Sequence, residues 1–388
     1  MKTKSPLSQS QYGIYAECIG HDGEIYYNLP YLYTLDGVLD AEQVRLAVET
    51  AVKSHTTLFT KIETDENGEP VQIIDTEQIS WTLKVEDIDD IDAIKPSLTQ
   101  PFELIGGDLF HIRLLKDAAH LYLFIDYHHI ICDGTSMSLM LHDIESAYEG
   151  KPLEAELLTM ADVATEEAAL RQTSAFEDDR QWYHDHFDCG DTFTQLIPDL
   201  EGIERIEKSM KRTLSVEMER VDAYCKANSV SKSSFFTSAY AYLLAKYAGE
   251  KESLFNTVYH GRDDKRQSRS IGMFVKTLPV YTKFDDQTTV IDLIKENDEL
   301  MCGCREHRVY SYMDLRQDLG LQTSSEFAWH DRIFSENELM GKPISAERLG
   351  NSTLDVLIYL KAYIWDNQYV VKAEYDVAKY SEAMVSQF

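Results

Sequence analysis

Between Leu121 and Leu139 the chain reads LYLFIDYHHIICDGTSMSL. An apolar run from Leu121 to Tyr127 ends in two adjacent histidines, His128 and His129. After three more residues come Asp133 and Gly134, then a Thr/Ser pair and a second apolar run. The spacing predicts a strand, a Gly-containing turn and a helix from about Ser136 to Tyr148. Such a unit presents an imidazole rigidly at the edge of a cleft. Adjacent side chains on a strand point to opposite faces, so only one of the two histidines can look into a given cavity. The other is then a packed, hydrogen-bonded structural residue.

The flanking sequence supplies alternating strands and helices. Residues 5–16 have a helical pattern with Leu7, Tyr12 and Tyr15 on one face, and a strand is expected at Leu29–Leu35. Asp40 is placed to cap a helix through Lys53, with Val44, Ala47, Val48 and Ala51 as its buried stripe. Leu58–Glu63 and Val71–Ile74 flank Asp65-Glu66-Asn67-Gly68, a hairpin signal. Strands are expected at Leu109–Leu115 and Leu121–Tyr127, and a helical connection fills residues 151–190. The later half holds further strands and helices, among them strands near 327–334 and 354–361 and a last pair, Tyr363–Trp365 and Gln368–Tyr375. Alternation of this kind argues for a mixed α/β layer structure. At 388 residues the chain suits two domains, 1–175 and 176–388.

Charge narrows the partners. The net charge of −30 would repel phosphate backbones and anionic membranes. The N-terminus MKTKSPLSQSQ has no apolar signal core, no stretch approaches a membrane span, and the six cysteines form no disulfide framework or zinc set. Cytoplasmic residence, reduced thiols and no metal are the expectation.

Asp133 has two readings: it orients an imidazole as in a hydrolase triad, or it pairs with an arginine and holds the turn shut. A protein nucleophile is missing. There is no G-x-S-x-G elbow, and no cation beside Cys132 in sequence lowers its pKa. A histidine with an ordinary pKa of about 6.5 and no protein nucleophile points to acyl transfer between two bound substrates.

HHIICDG at 128–134 matches the H-H-x-x-x-D-G motif of the condensation domains of nonribosomal peptide synthetases, in the chloramphenicol-acetyltransferase-like superfamily. SPLSQSQYGIY resembles the family's opening S-x-A-Q segment. YNLPYLYTLDGVLD (27–40) and PFELIGGDLFHIRLL (101–115) resemble its N-lobe segments, and HGRDD (260–264) with IGMFVKTLPV (271–280) resembles its C-lobe segments. The resemblance implies two acyltransferase-like lobes arranged as a V around a central tunnel. It also implies amide formation between a donor acyl-thioester and an acceptor aminoacyl-thioester, in the biosynthesis of secondary metabolites such as antibiotics. Both substrates would ride on phosphopantetheine arms of upstream and downstream carrier proteins, with an adenylation domain as neighbour and no cofactor bound by the domain itself. His129 matches the family's catalytic histidine, while His128, Asp133 and Gly134 match the supporting turn.

Departures refine these expectations. Phe59 stands where the family has an arginine, so Arg262 is the candidate partner of Asp133. Lys276 replaces an asparagine, EHRVYSYMDL (306–315) matches its family segment weakly, and the family's late R-D-x-S-R-N-P-L segment is absent. The family continues Ser381–Phe388 as a longer final helix, which suggests a trimmed domain of a larger synthetase. The nearest rival is an epimerisation domain, which carries a glutamate before its G-H-G-R stretch and a tryptophan after the histidine motif. Val258, Tyr259 and Met137 occupy those places here, which favours condensation. A catalytically silent carrier-docking module and a coenzyme A acyltransferase are the other readings; the intact motif argues against the first, and the lack of a basic patch against the second.

Overall fold

The computed structural model describes residues 2–21, 23–77, 79–190, 192–203, 206–330, 338–350 and 356–388. Its first elements are β1 (Lys2–Pro6), α1 (Gln9–Cys18), β2 (Tyr31–Asp36), α2 (Ala41–Ser54), β3 (Lys61–Thr64) and β4 (Pro70–Asp75). Next come β5 (Val85–Asp87), α3 (Ile91–Leu98), β6 (Phe110–Lys116), β7 (His120–Tyr127), α4 (Gly134–Tyr148), α5 (Met160–Leu170) and α6 (Ser174–His186). Then follow β8 (Glu207–Thr213), α7 (Met218–Asn228), α8 (Lys232–Ala248), β9 (Glu252–Tyr259), β10 (Lys276–Lys283), α9 (Val290–Glu306) and α10 (Tyr312–Leu319). The last are β11 (Ser325–His330), β12 (Glu338–Leu339), β13 (Lys342–Pro343), β14 (Ser345–Arg348), β15 (Ile358–Trp365), β16 (Gln368–Asp376) and α11 (Glu382–Gln387).

These elements fall into two compact units. The first comprises the described residues of Met1–Ala169, Gly261–Val275 and Phe334–Ser352; the second those of Leu170–His260, Lys276–Ile333 and Thr353–Phe388. Two segments from late in the chain therefore belong to the first unit. No described helix is long and apolar enough to cross a membrane.

In the first unit a five-stranded sheet runs β14-β2-β7-β6-β5, and β1-β4-β3 form a smaller one. β7 is the middle strand, and Leu121–Tyr127 are buried on both of its faces. Leu121, Leu123, Ile125 and Tyr127 join a core with Val44, Val48 and Val52 of α2 and Met140, Leu141 and Ile144 of α4. Tyr122 and Phe124 point the other way, to Leu98, Ile91 and Ile94 of α3. Burial on both sides explains why this stretch reads as a continuous apolar run.

The α2 stripe is as its sequence predicts, and Asp40 Oδ1 accepts from the amides of Glu42 (2.9 Å) and Gln43 (3.3 Å). The Asn-Gly hairpin forms between β3 and β4, with Gly68 left-handed at φ 87°. Other expectations change. Residues 56–59 form a 3₁₀ turn instead of the start of a strand. α1 buries Gln11 and Ile14, while Tyr12 is exposed, because the amide of Gln11 finds partners inside. β14 carries no apolar alternation; it joins the sheet through its ladder with β2.

The second unit is built on a six-stranded sheet, β10-β9-β11-β15-β16-β8, with Phe236, Tyr240 and Leu244 of α8 against Phe255, Phe327 and Tyr369. The expected strand near 327–334 is present as far as His330, and 331–334 lie outside the described residues. Of the expected strand 354–361, residues 354 and 355 lie outside them, 356 and 357 are not in a strand, and 358–361 join 363–365 as the single strand β15. Asp366 and Asn367 turn it back with φ of 48° and 55°, the left-handed pair that a tight hairpin requires.

A buried ionic network crosses the first unit. His55 donates Nε2–H to Asp143 and Nδ1–H to Glu156, both at 2.8 Å, and Arg269 donates to the other oxygen of Asp143 at 2.6 Å. Burial alone would lower the His55 pKa, but the two carboxylates lift it to about 9. With a folded pKa above the unfolded value of about 6.5, its stabilisation is complete below pH 6.5 and is lost as pH rises through 9. His55→Gln is expected to lose roughly 3–5 kcal/mol at pH 6 and much less at pH 10. Urea unfolding of both proteins at the two pH values checks this; an equal loss at each would refute it.

Candidate active site

The motif begins where β7 ends. The amide of His128 donates to Leu109 O (2.8 Å) on one side; on the other, Leu29 N donates to Tyr127 O (2.8 Å) and His129 N to Tyr27 O (2.7 Å). Gripped from both sides, the backbone then leaves the sheet. His129–Ile131 form a 3₁₀ turn, closed by Ile131 N to His128 O (3.1 Å) and Cys132 N to His129 O (3.3 Å). This turn leaves Ile130 O free to accept from Gln11 Nε2 at 3.3 Å. The two histidines are thus separated by a change of backbone: His128 is still extended and paired with Asn28, while His129 opens the turn.

Their environments differ accordingly. His128 Nδ1 accepts from the amide of Ile130 at 3.2 Å, which places the proton of a neutral ring on Nε2, 3.8 Å from Cys18 Sγ. Burial, with His129 adding to it, pushes the His128 pKa down to about 3. A ring so placed stays neutral and structural. His129 is half-buried, its ring edge-on to Tyr27 with centroids 6.3 Å apart. Burial lowers its pKa too, while the Asp133 carboxylate and the backbone of His129 and Cys132 pull in the opposite direction. Among the described residues no hydrogen bond closes on its buried Nδ1. The result is a neutral imidazole, the form that can take up a proton at neutral pH.

Asp133 is fully buried and caps α4. Its Oδ1 accepts from Ser136 N (2.8 Å), Ser136 Oγ (2.9 Å) and Arg262 Nη2 (2.9 Å); its Oδ2 accepts from Phe274 N (3.1 Å). Arg262 is itself fixed: Nη1 donates to Gln267 O and Ser270 O, both at 2.7 Å, and the guanidinium lies 4.0 Å from the centroid of the Phe274 ring. No hydrogen bond joins Asp133 to His129 among the described residues, so of the two readings the geometry fits an arginine-held turn. Phe59, where the family carries arginine, packs edge-on against Phe110 at 5.5 Å. Gly134 is the first helical residue of α4, so the turn uses ordinary helical backbone here. The Cys132 thiol, although Arg262 is near, is pushed up by burial and by Asp133, which suits packing and not attack.

Asp133 and Arg262 therefore meet in one network at the start of α4, of which Gly134 is the first residue. Ser136 and Gly272 complete it and were not singled out from the sequence. Ser136 Oγ bridges Asp133, Arg262 Nη2 (2.9 Å) and both the carbonyl (2.9 Å) and amide (3.0 Å) of Gly272. The available signal was the serine three residues after a helix-capping aspartate. An added Cβ on Gly272 would lie 2.3 Å from Met160 Sδ, so a larger residue there would force the Met160 side chain to move. Truncation of Arg262 to alanine leaves the buried Asp133 charge under-compensated. A loss of about 3–5 kcal/mol in urea unfolding is expected, together with faster exchange of the Phe274 amide proton; wild-type stability would contradict the role given to this pair.

Known proteins place the chain. The family model described as Condensation domain matches residues 1–388. Tyrocidine synthase 2 of Brevibacillus parabrevis is 26% identical over 97% of this chain, which spans 10% of that protein. Gramicidin S synthase 2 of Brevibacillus brevis is 28% identical over 76% of this chain, which spans 7% of it. The chain thus spans about a tenth or less of these curated relatives. Among solved structures, the first condensation domain of the calcium-dependent antibiotic synthetase, in complex with a substrate analogue, has the same fold. Its TM-score is 0.78 at 17% identity, over 99% of this chain and 93% of that one. With the mixed α/β fold, the histidine turn and the full-length match in agreement, the chain belongs to the condensation-domain family.

Proposed function

We propose that this domain is an acyltransferase that joins a carrier-tethered donor acyl-thioester to a carrier-tethered acceptor amine in nonribosomal peptide synthesis. The observation that carries the reading is His129: the second histidine of the family's motif, kept neutral by burial, on a turn fixed from below by Asp133 and Arg262.

In the proposed reaction the acceptor nitrogen attacks the donor carbonyl carbon. The new C–N bond forms as the C–S bond breaks. His129 positions the amine and takes its proton, which then passes to the departing thiolate of the donor's phosphopantetheine arm. His128, Asp133, Gly134 and Arg262 aim the imidazole and do not touch the substrate. Holding the two reactants together supplies much of the acceleration, since effective molarity is worth roughly 7–11 kcal/mol. The partners are carrier proteins on either side and a neighbouring adenylation domain, and the domain needs no cofactor of its own. A net charge of −30 disfavours nucleic acid and anionic lipid as partners.

His129→Ala is expected to slow amide formation about 100-fold or more while leaving unfolding by heat unchanged. The measurement combines the domain with two charged carrier proteins and follows the product by mass spectrometry. An undiminished rate in a folded variant would sink the catalytic assignment.

A further inference from the structure

One ionisable side chain beside the motif takes no part in the proposed reaction. Asp126, on β7, is fully buried. Its Oδ2 accepts from Asn28 Nδ2 at 2.8 Å, and its Oδ1 has no hydrogen-bond partner among the described residues. A carboxylate so poorly supplied with donors is costly to bury. Burial accordingly raises its pKa to about 7, against the lowering pull of Asn28, the Leu29 backbone and Arg348. The charge of this side chain therefore changes across neutral pH.

Asn28 connects that change to the histidines. Its Nδ2 donates to both Asp126 Oδ2 and Gln100 O (2.9 Å), and its backbone bridges His128. On either side of it, Tyr27 O accepts from the amide of His129 and Leu29 N donates to Tyr127 O. Asn28 is thus the middle of a three-residue clamp over 127–129, and Asp126 holds the clamp by its side chain. Besides His128, two residues along, and His111, directly across on β6, this face carries Tyr122, the Arg113–Glu86 pair and Glu347 with Lys95 of α3, while Arg348 at the end of β14 adds a lowering charge effect on Asp126. His128 stays neutral, as shown above, and burial lowers the His111 pKa, its ring stacked on Phe102 with centroids 4.7 Å apart. In both histidines burial favours the neutral ring, whereas in Asp126 it favours the protonated carboxyl.

We propose that Asp126 is a positioning residue for His129, tightening the Asn28 clamp when it is ionised and relaxing it when it is protonated. The physical reason is that a charge-assisted hydrogen bond is roughly twice as strong as a neutral one. The inference rests on the reading of His129 as the group that handles the substrate amine, and its test separates the two.

The first readout is the ring resonances of His129 in histidine-labelled protein from pH 5 to 9. Wild type is expected to show an inflection near pH 7, distinct from the imidazole's own titration at lower pH. Asp126→Asn abolishes it by removing the charge. Asn28→Ala abolishes it by cutting the link, while the Asp126 carboxyl still titrates. No inflection in wild type, or one that survives either variant, overturns the coupling. The second readout is the ratio of wild-type to Asp126→Asn rates of amide formation between two charged carriers. It is expected to be near one at pH 5.5 and to rise about threefold by pH 8.5. A merely structural role predicts a ratio independent of pH, and that result overturns the role in the reaction. If instead His129 itself is dispensable, His129→Ala keeps its rate while the resonance coupling in wild type persists.

Discussion

A buried carboxylate needs more donors than its own helix can give it, and in this protein that need organises the site. Asp133 as a helix cap would be satisfied at one oxygen by Ser136. Its burial leaves a charge that water cannot reach, and desolvation costs several kcal/mol unless further donors converge. They come from far away in the chain: the guanidinium of Arg262 and the amide of Phe274. Two segments far apart in sequence, 128–136 and 262–274, are thereby obliged to meet. This is the physical content of their joint appearance in one family. The motif's aspartate and the later Gly-Arg and Ile-Gly-x-Phe segments are parts of a single electrostatic solution.

The same economy separates the two histidines. An all-buried strand such as β7 must end by satisfying its last backbone groups, and it does so against Leu109 on one side and residues 27–29 on the other. His128 is the residue at that edge, and its ring is consumed in closing the turn onto the Ile130 amide. His129 follows a step later, on a backbone already fixed, half-buried and with no hydrogen bond on its Nδ1 among the described residues. Alternation along a strand suggested that only one of the pair could work. The structure reaches a similar division by a different route, a 3₁₀ turn that starts at His129.

What was legible in the sequence is what local patterns determine. The α2 stripe, the Asn-Gly hairpin and the capping aspartate of α4 each depend on residues a few positions apart. The mixed α/β class follows from their alternation. The burial of Gln11 was not legible because a polar residue at a buried position has no periodic signature; its partners, Gln72 and Ile130, lie 61 and 119 residues away. β14 was missed because Ser-Ala-Glu-Arg has no strand pattern, and its pairing with β2 is purely a matter of tertiary context. Asp126 sits inside the run Leu121–Tyr127, which the pattern reads as apolar throughout. Only the neighbouring Asn28 reveals why a carboxyl can be tolerated there.

Helix α4 draws these threads together. Asp133 at its start is bound to Arg262, and Asp143, ten residues on, to Arg269 and His55. Two residues after Asp143, Glu145 Oε1 accepts from the amide of Met340 at 3.0 Å and so ties in a third late segment. The apolar face of α4 packs on α2 and β7, so its polar face is the one that gathers late segments of the chain. Each anchor is a buried or half-buried carboxylate, and each takes a donor that local structure could not provide. A helix of this kind is held at a fixed rotation as well as a fixed position. That rotation matters for the turn in front of it, because the backbone between His129 and Asp133 is only three residues long and passes any movement of α4 directly to the imidazole.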